Sequence, residues 1–288
     1  MSNVRNAWII LLCLTFVLAV SQDATATQYN VFLLGGQSNM EGRASTSSLL
    51  APLQNPQPDV LLYEGATLAA LEPSGANFGP EVTFGRYVAD AFPVDDFAII
   101  KYGIGGSDLH TDWDPNTGST YGVFRATVTN GLAALQSGGN STEIVGMLWV
   151  QGERDAKDNR TTAEYQADLT EFIADVRTRY GADLPFFLSR LSVLQTDISV
   201  DQLAEIRPAQ ANVAAGDSNA YMINTDSFGM KTDDLHFNGA GQQSLGQAFA
   251  TSYVASVPEP SALLLWVFGL LGVSGCHCRR RTNGVILP

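Results

Sequence analysis

One serine in this chain has the local sequence of a catalytic nucleophile. Ser38 follows a short apolar run that ends in two glycines, Gly35 and Gly36. A serine held at the end of a central strand by a glycine turn is well placed to attack a carbonyl carbon. The alternative interpretation is a loop serine that caps the next helix, since Ser and Asn are favoured there. The choice depends on whether the chain also supplies a base.

His236 is the candidate base. A serine hydroxyl is a poor nucleophile at neutral pH, and histidine is the side chain that most often takes its proton. Between residues 27 and 256 the sequence has two histidines, His110 and His236. Asp233, three residues before His236, can turn back on the same loop, fix the tautomer of the imidazole and stabilise the imidazolium. An ordinary capping loop with a surface histidine would have the same sequence, and we expect His110 to be a cleft-wall or surface residue.

Donors for an oxyanion follow two other apolar runs. Gly105 and Gly106 offer backbone N–H groups, Gln151 offers a side-chain amide, and the N–H of Ser38 itself is a further candidate. The glycines could instead form a simple strand-ending turn, and Gln151 could bond to the backbone. Neither alternative explains why all these groups follow strands.

The elements that must position these groups alternate regularly. The sequence predicts strands at 31–34, 97–102, 144–150, 185–191 and 220–224. It predicts helices at 81–92, 121–135, 162–180, 200–215 and 239–254. Residues 43–80, rich in Ser, Pro, Ala and Gly, are predicted to form a long surface loop that is one wall of a cleft.

This alternation predicts an α/β fold: a three-layer α/β/α sandwich around a five-stranded parallel sheet, in one domain. Ligands of such sheets bind at the carboxyl ends of the strands. The candidate catalytic residues all follow strands, so we expect them to meet at that edge.

Both ends of the chain have the character of processing segments. Residues 1–26 carry Arg5, a long apolar run and a small-x-small pattern, and are predicted to be a signal peptide cleaved after Ala26, although a membrane anchor is the alternative. Residues 257–288 contain Pro258-Glu259-Pro260, an apolar segment at 261–275 and three arginines. That order resembles the PEP-CTERM sorting signal of exported bacterial proteins, which implies recognition by an exosortase and removal of the tail. A retained C-terminal membrane anchor is the alternative.

Composition narrows the class of protein further. The 45% of hydrophobic residues is typical of a chain with a real core. The net charge is −13; the leader is neutral and the tail carries +2, so region 27–256 carries −15, which argues against nucleic acid as a partner. The same region has no cysteine, so neither disulfides nor thiolate-bound metal are expected in it.

Several blocks of the sequence together resemble one enzyme family. They are Gly36-Gln37-Ser38-Asn39-Met40, Gly79-Pro80-Glu81, Gly105-Gly106-Ser107 with Trp113 nearby, Trp149-Val150-Gln151-Gly152-Glu153-Arg154-Asp155, and Asp233-Asp234-Leu235-His236-Phe237. In this order they resemble the sialate O-acetylesterase and acetylxylan esterase group of the SGNH hydrolases (carbohydrate esterase family 6-like).

The resemblance implies a flavodoxin-like fold and hydrolysis of acetyl esters on sugars without a metal or cofactor. It implies Ser38 as nucleophile, His236 as base and Asp233 as the orienting acid, with Ser38, Gly106 and Gln151 forming the oxyanion hole. Gln151 stands where many SGNH enzymes have Asn. Glu153 is a second candidate for the acid, with a structural role beneath the site as the alternative.

The sequence therefore predicts an exported serine esterase acting on an acetylated carbohydrate, either a polysaccharide or a sialic-acid-like sugar. It is predicted to be secreted or held at the cell surface, or in the membrane through 261–275 if the tail is retained. Two other functions stay open: a non-catalytic carbohydrate-binding or matrix protein of the same fold, and an SGNH lipase or thioesterase.

Overall fold

The computed structural model describes residues 26–257, which form one mostly parallel sheet between two layers of helices. The strands are β1 (Gln28–Gly36), β2 (Ala44–Ser45), β3 (Gln57–Glu64), β4 (Thr67–Leu71), β5 (Asn77–Phe78), β6 (Asp96–Gly103), β7 (Ser141–Val150), β8 (Phe186–Ser189) and β9 (Ala220–Ile223). The order in the main sheet is β4-β3-β6-β1-β7-β8-β9, and β4 alone is antiparallel to its neighbour. Strand β1, which leads to Ser38, is therefore central.

The helices lie on both faces of this sheet. They are α1 (Ser38–Glu41), α2 (Glu81–Ala91), α3 (Ser119–Gln136), α4 (Glu153–Lys157), α5 (Thr162–Tyr180), α6 (Val200–Gly216) and α7 (Gly239–Ser256). Helices α2 and α7 cover one face, and α3, α5 and α6 cover the other. The α/β class and the three layers predicted from the sequence are confirmed. Within the described residues, no helix combines the length and apolar character needed to cross a bilayer.

Strand β1 is buried on both faces. Val31 and Leu33 point into the core under α3 and α5, whereas Phe32 and Leu34 point into the core under α2 and α7. Successive side chains of a strand alternate between faces, so a strand covered on both sides has a continuous apolar sequence. Each such side chain contributes roughly 1.5–3 kcal/mol by burial, which makes β1 a rigid support for the residues that follow it.

The predictions of a five-stranded sheet and of a loop at 43–80 are wrong. That segment supplies β3 and β4, which add a parallel strand and an antiparallel edge strand to the sheet, and the short pair β2 and β5. The β3–β4 hairpin turns at Gly65 and Ala66, both with positive φ. Two-residue hairpins of that kind are usually signalled by Asn-Gly or Asp-Gly, and Gly-Ala gives no such signal.

Candidate active site

Ser38 lies at the carboxyl end of β1, where the chain passes into α1. Gly36 has φ +145°, and a Cβ at this position would lie 2.1 Å from the carbonyl oxygen of Val150 in β7. Only glycine lets the two backbones approach this closely. The N–H of Gln37 then donates to the same carbonyl at 2.9 Å, and Ser38 begins the helix. The side chain of Ser38 is thereby fixed at the edge of the sheet that the sequence predicted.

The loop between β9 and α7 brings His236 to this serine. His236 Nε2 lies 2.9 Å from Ser38 Oγ, and His236 Nδ1 lies 3.0 Å from Asp233 Oδ2. An ionised carboxylate only accepts hydrogen bonds, so Nδ1 carries the proton and Nε2 accepts the hydroxyl proton of Ser38. The loop is held by Lys231 N–H, which donates to the His236 carbonyl at 2.8 Å.

Asp233 is built to remain ionised. Partial burial favours its neutral form, but hydrogen bonds from the backbone and imidazole of His236 and from the N–H of Leu235 outweigh that effect and lower the pKa of Asp233 to about 2. A negative charge therefore faces the imidazole across the pH range in which a serine esterase would operate.

The turn after β6 presents a free backbone N–H beside Ser38. Gly106 has φ +74°, a conformation that favours glycine. The neighbouring Gly105 N–H donates to Glu41 Oε2 at 2.9 Å, and the Ser107 hydroxyl donates to the Ile104 carbonyl at 2.9 Å. Within residues 26–257, neither the Gly106 N–H nor the Ser38 N–H has a hydrogen-bond acceptor. Both groups remain available to a ligand.

Gln151 is not where its predicted role requires it to be. Its side chain is fully buried beneath the pocket. Its amide nitrogen donates to the Asp155 carboxylate and, at 3.2 Å, to the Ser107 carbonyl, while its oxygen accepts from the Tyr165 hydroxyl at 3.0 Å. Because the Asp155 carboxylate and the Ser107 carbonyl take the N–H groups of its amide, Gln151 is not a donor to the oxyanion as the sequence predicted. Gln37, the neighbour of Ser38, lines the pocket instead.

Glu153 lies under the histidine loop and does not bond to the imidazole. Its Oε1 accepts from Asn39 Nδ2 at 2.7 Å and from Gln195 Nε2 at 3.1 Å. Both amides also donate to the Leu235 carbonyl, at 3.3 and 3.0 Å. Burial raises the pKa of Glu153. These contacts fit the structural alternative considered for this residue and not the role of the orienting acid.

Sequence reasoning missed Asn39 and Gln195 as parts of the site. Asn39 Oδ1 also accepts from the Phe237 N–H at 3.0 Å, so one side chain joins the helix that begins at Ser38 to the loop that carries His236. Asn39 belongs to the same block as Ser38, which was a usable signal. Gln195 stands alone in a loop and offered none. His110 lies outside the pocket on the surface, with its Nδ1 3.3 Å from Asp168 Oδ2, as expected of a surface residue.

The Ser38–His236 pair opens into a cavity of about 480 Å³ with a charged rim. Four cations line it: Arg43, Arg154, Lys157 and Lys231. The first three are paired with the carboxylates of Glu41, Asp158 and Asp197, respectively, and Lys231 Nζ lies 3.9 Å from Asp233 Oδ2. The rim thus offers many donors and acceptors with little excess charge. An apolar cavity of about 510 Å³ beside α6 has neither a serine nor a histidine in its lining.

Comparisons with known proteins agree on the kind of protein this chain resembles. Residues 28–255 match the family described as "Carbohydrate esterase, sialic acid-specific acetylesterase". A protein of Arabidopsis thaliana named "Probable carbohydrate esterase" is 24% identical over 251 residues, which cover 78% of this chain and 90% of that one.

Solved structures show the same fold at low sequence identity. An Arabidopsis thaliana protein superposes with a TM-score of 0.66 at 20% identity, covering 80% of this chain and 99% of that chain. A carbohydrate acetylesterase from Xanthomonas citri gives 0.59 at 17% identity, covering 78% and 56%, respectively. A protein of Parabacteroides merdae described as a "putative GDSL-like lipase" gives 0.51 at 13% identity, covering 79% and 97%.

Proposed function

This chain belongs to the carbohydrate esterase, sialic acid-specific acetylesterase family, and we propose that it is a serine esterase that removes O-acetyl groups from carbohydrate. One observation carries the proposal: Ser38, His236 and Asp233 are joined by hydrogen bonds of 2.9 and 3.0 Å at the rim of an open cavity. That arrangement is the one acyl transfer to serine requires.

The reaction follows from the positions of these groups. Ser38 Oγ attacks the acetyl carbonyl carbon while its proton passes to His236 Nε2, and Asp233 stabilises the imidazolium that forms. The N–H groups of Ser38 and Gly106 donate to the oxyanion of the tetrahedral intermediate. Collapse of the intermediate breaks the bond to the sugar oxygen, which takes the proton from Nε2. A water molecule, deprotonated by the same nitrogen, then releases acetate from Ser38.

The surroundings of the pocket support a carbohydrate substrate. A second polar cavity of about 330 Å³ adjoins the first and shares Arg43 with it. Glu64, Asn77 and Tyr102 line this second cavity, and such side chains bind sugar hydroxyls and ring faces. The lining of the catalytic cavity includes a single aliphatic side chain, Leu235, so an acetyl ester on a sugar fits better than an ester of a long acyl chain.

We also propose that the protein is exported, with residues 1–26 removed and the tail at 257–288 recognised by an exosortase. The apolar runs of both segments support this. The signal peptide and the 261–275 segment lie outside the described residues. The intact mass of the protein recovered from outside the cell tests it: we expect a chain beginning at Thr27 and ending near Pro258.

Replacing Ser38 by alanine tests the enzymatic proposal. The Ser38→Ala variant should release no acetate from p-nitrophenyl acetate or acetylated xylan, because the nucleophile is gone. Its thermal unfolding midpoint should remain near that of the wild type, because the change removes one hydroxyl. Wild-type protein that binds acetylated glycans without releasing acetate would indicate the non-catalytic alternative. Equal turnover by both proteins would contradict the mechanism.

A further inference from the structure

We propose that the side-chain amide of Gln37 is a third donor to the oxyanion, in the place expected for Gln151. The inference rests on the proposed esterase function and adds a catalytic residue to it. Gln37 precedes the nucleophile directly and lines the same cavity as Ser38 and Gly106, although only 2% of its surface is exposed.

The orientation of the Gln37 amide is fixed by its buried side. Its Oε1 accepts from the Arg154 N–H at 3.3 Å and from Gln151 Nε2 at 3.4 Å. Both neighbours are donors, so a flipped amide would set N–H groups against N–H groups. The oxygen therefore faces inward, and the nitrogen faces the cavity.

The Gln37 nitrogen is left free for a ligand. No hydrogen bond within residues 26–257 uses this nitrogen, yet the surrounding protein atoms do not enclose it completely. The small exposed part of this residue thus includes the amide nitrogen. A donor that is held rigidly, shielded from bulk water and unpaired in the resting enzyme is the kind of group that stabilises developing charge.

A series of buried, hydrogen-bonded side chains holds Gln37 in this orientation. The Asp155 carboxylate accepts from Gln151 Nε2 and from the Leu109 N–H at 2.9 Å, and the Tyr165 hydroxyl holds the other end of the Gln151 amide. Gln151 cannot turn without losing both contacts. Its role is therefore to position Gln37.

Two substitutions of Gln37 test whether its amide acts as a donor to the oxyanion or only as an acceptor for its buried neighbours. Gln37→Glu keeps an oxygen for the Arg154 and Gln151 donors but puts a second oxygen where the amide nitrogen was. Gln37→Met keeps the length and removes all polar atoms. If Gln37 donates to the oxyanion, kcat should fall by about 10²- to 10³-fold in both variants. The value of KM should change little, and the acidic limb of the pH–rate profile should stay the same.

The matched control is Gln57→Met. Gln57 is also buried but begins β3, at the opposite end of the parallel strands from the cavity, with its amide nitrogen 3.4 Å from the Val82 carbonyl. The kcat of the Gln57→Met variant should equal that of the wild type. Circular dichroism and thermal unfolding of each variant show whether the fold is kept, and Gln37→Glu serves if Gln37→Met does not fold.

The outcomes are distinct. A Gln37→Glu variant within about threefold of wild-type kcat would overturn the donor role, because it would show that only the acceptor matters. If the wild type itself releases no acetate, the proposed function fails. If the wild type is active, Ser38→Ala is inactive and both Gln37 variants are active, the inference about Gln37 alone fails.

Discussion

Replacing Asp233 by asparagine should mainly lower activity, whereas replacing Glu153 by alanine should mainly lower stability. Asp233→Asn presents an amide to His236 Nδ1, and an N–H there favours the tautomer in which Nε2 is protonated and cannot accept from Ser38. We expect kcat to fall by about 10³- to 10⁴-fold. The Asp233 side chain is 42% exposed, so solvent screens its ion pair and the loss of stability should be under about 1 kcal/mol.

Glu153→Ala should mainly cost stability. The carboxylate is 2% exposed and accepts two hydrogen bonds, at 2.7 and 3.1 Å, from Asn39 and Gln195. Hydrogen bonds to charged groups are worth about 1.5–3 kcal/mol each, and both amides retain the Leu235 carbonyl as an acceptor, so we expect a loss of about 3 kcal/mol. For a domain of this size the unfolding midpoint should fall by about 6–12 °C. The kcat of the folded protein should fall by only about tenfold, through a looser histidine loop.

The assay is acetate release at saturating substrate together with thermal unfolding of the same samples. Asp234→Asn is the matched control: the residue is exposed, has φ +53°, which asparagine tolerates, and should change neither quantity. If Glu153→Ala instead abolished turnover at an unchanged midpoint while Asp233→Asn stayed active, Glu153 would be the orienting acid and the reasoning above would be refuted.

Two further predictions concern pH and packing. Burial raises the pKa of Asp155 from 3.8 to about 6, so the folded protein binds the proton of this carboxyl group more tightly than the unfolded chain does. The free energy of unfolding of the wild type relative to Asp155→Asn should therefore fall by up to about 3 kcal/mol between pH 4 and 7, and a constant difference in urea titrations would contradict this. Gly36→Ala should lose soluble folded protein, since its Cβ would clash with the β7 backbone; Gly138→Ala, with positive φ but open space, should cost about 1 kcal/mol by chemical denaturation.

Those parts of the fold that depend on local burial could be predicted from the sequence. The sequence predicts helix α5 because Tyr165, Leu169, Phe172 and Val176 recur at the helical period, and in the structure they face one core. The sequence predicts strand β1 because both faces of this strand are covered, which makes its sequence continuously apolar.

The edge of the sheet could not be predicted in this way. Strand β4 is half-exposed and has the sequence Thr-Leu-Ala-Ala-Leu, which lacks a strong strand pattern. Strand β3 contains Pro58 and pairs irregularly with β4 between Gln57 and Leu61. Their pairing depends on the neighbouring β6, a contact between distant segments that a local pattern does not carry.

The site shows the same division. The positions of Ser38 and His236 follow from where strands end in a parallel sheet, so spacing along the chain was sufficient to bring them together. The directions of the Gln37 and Gln151 amides depend on which donors and acceptors surround them. Those neighbours, Asp155 and Tyr165 among them, are brought in by the tertiary fold, and sequence spacing does not give the direction of a side-chain amide.

The most direct measurement of the central claim is covalent labelling of the nucleophile. Wild-type protein, Ser38→Ala and His236→Ala are each treated with a fluorophosphonate, and the modified peptide is located by mass spectrometry. We expect one adduct, on Ser38, in the wild type, none in Ser38→Ala, and far slower labelling in His236→Ala because no base takes the hydroxyl proton. Acetate release by a protein that is never labelled at Ser38, or equally fast labelling without His236, would contradict the account.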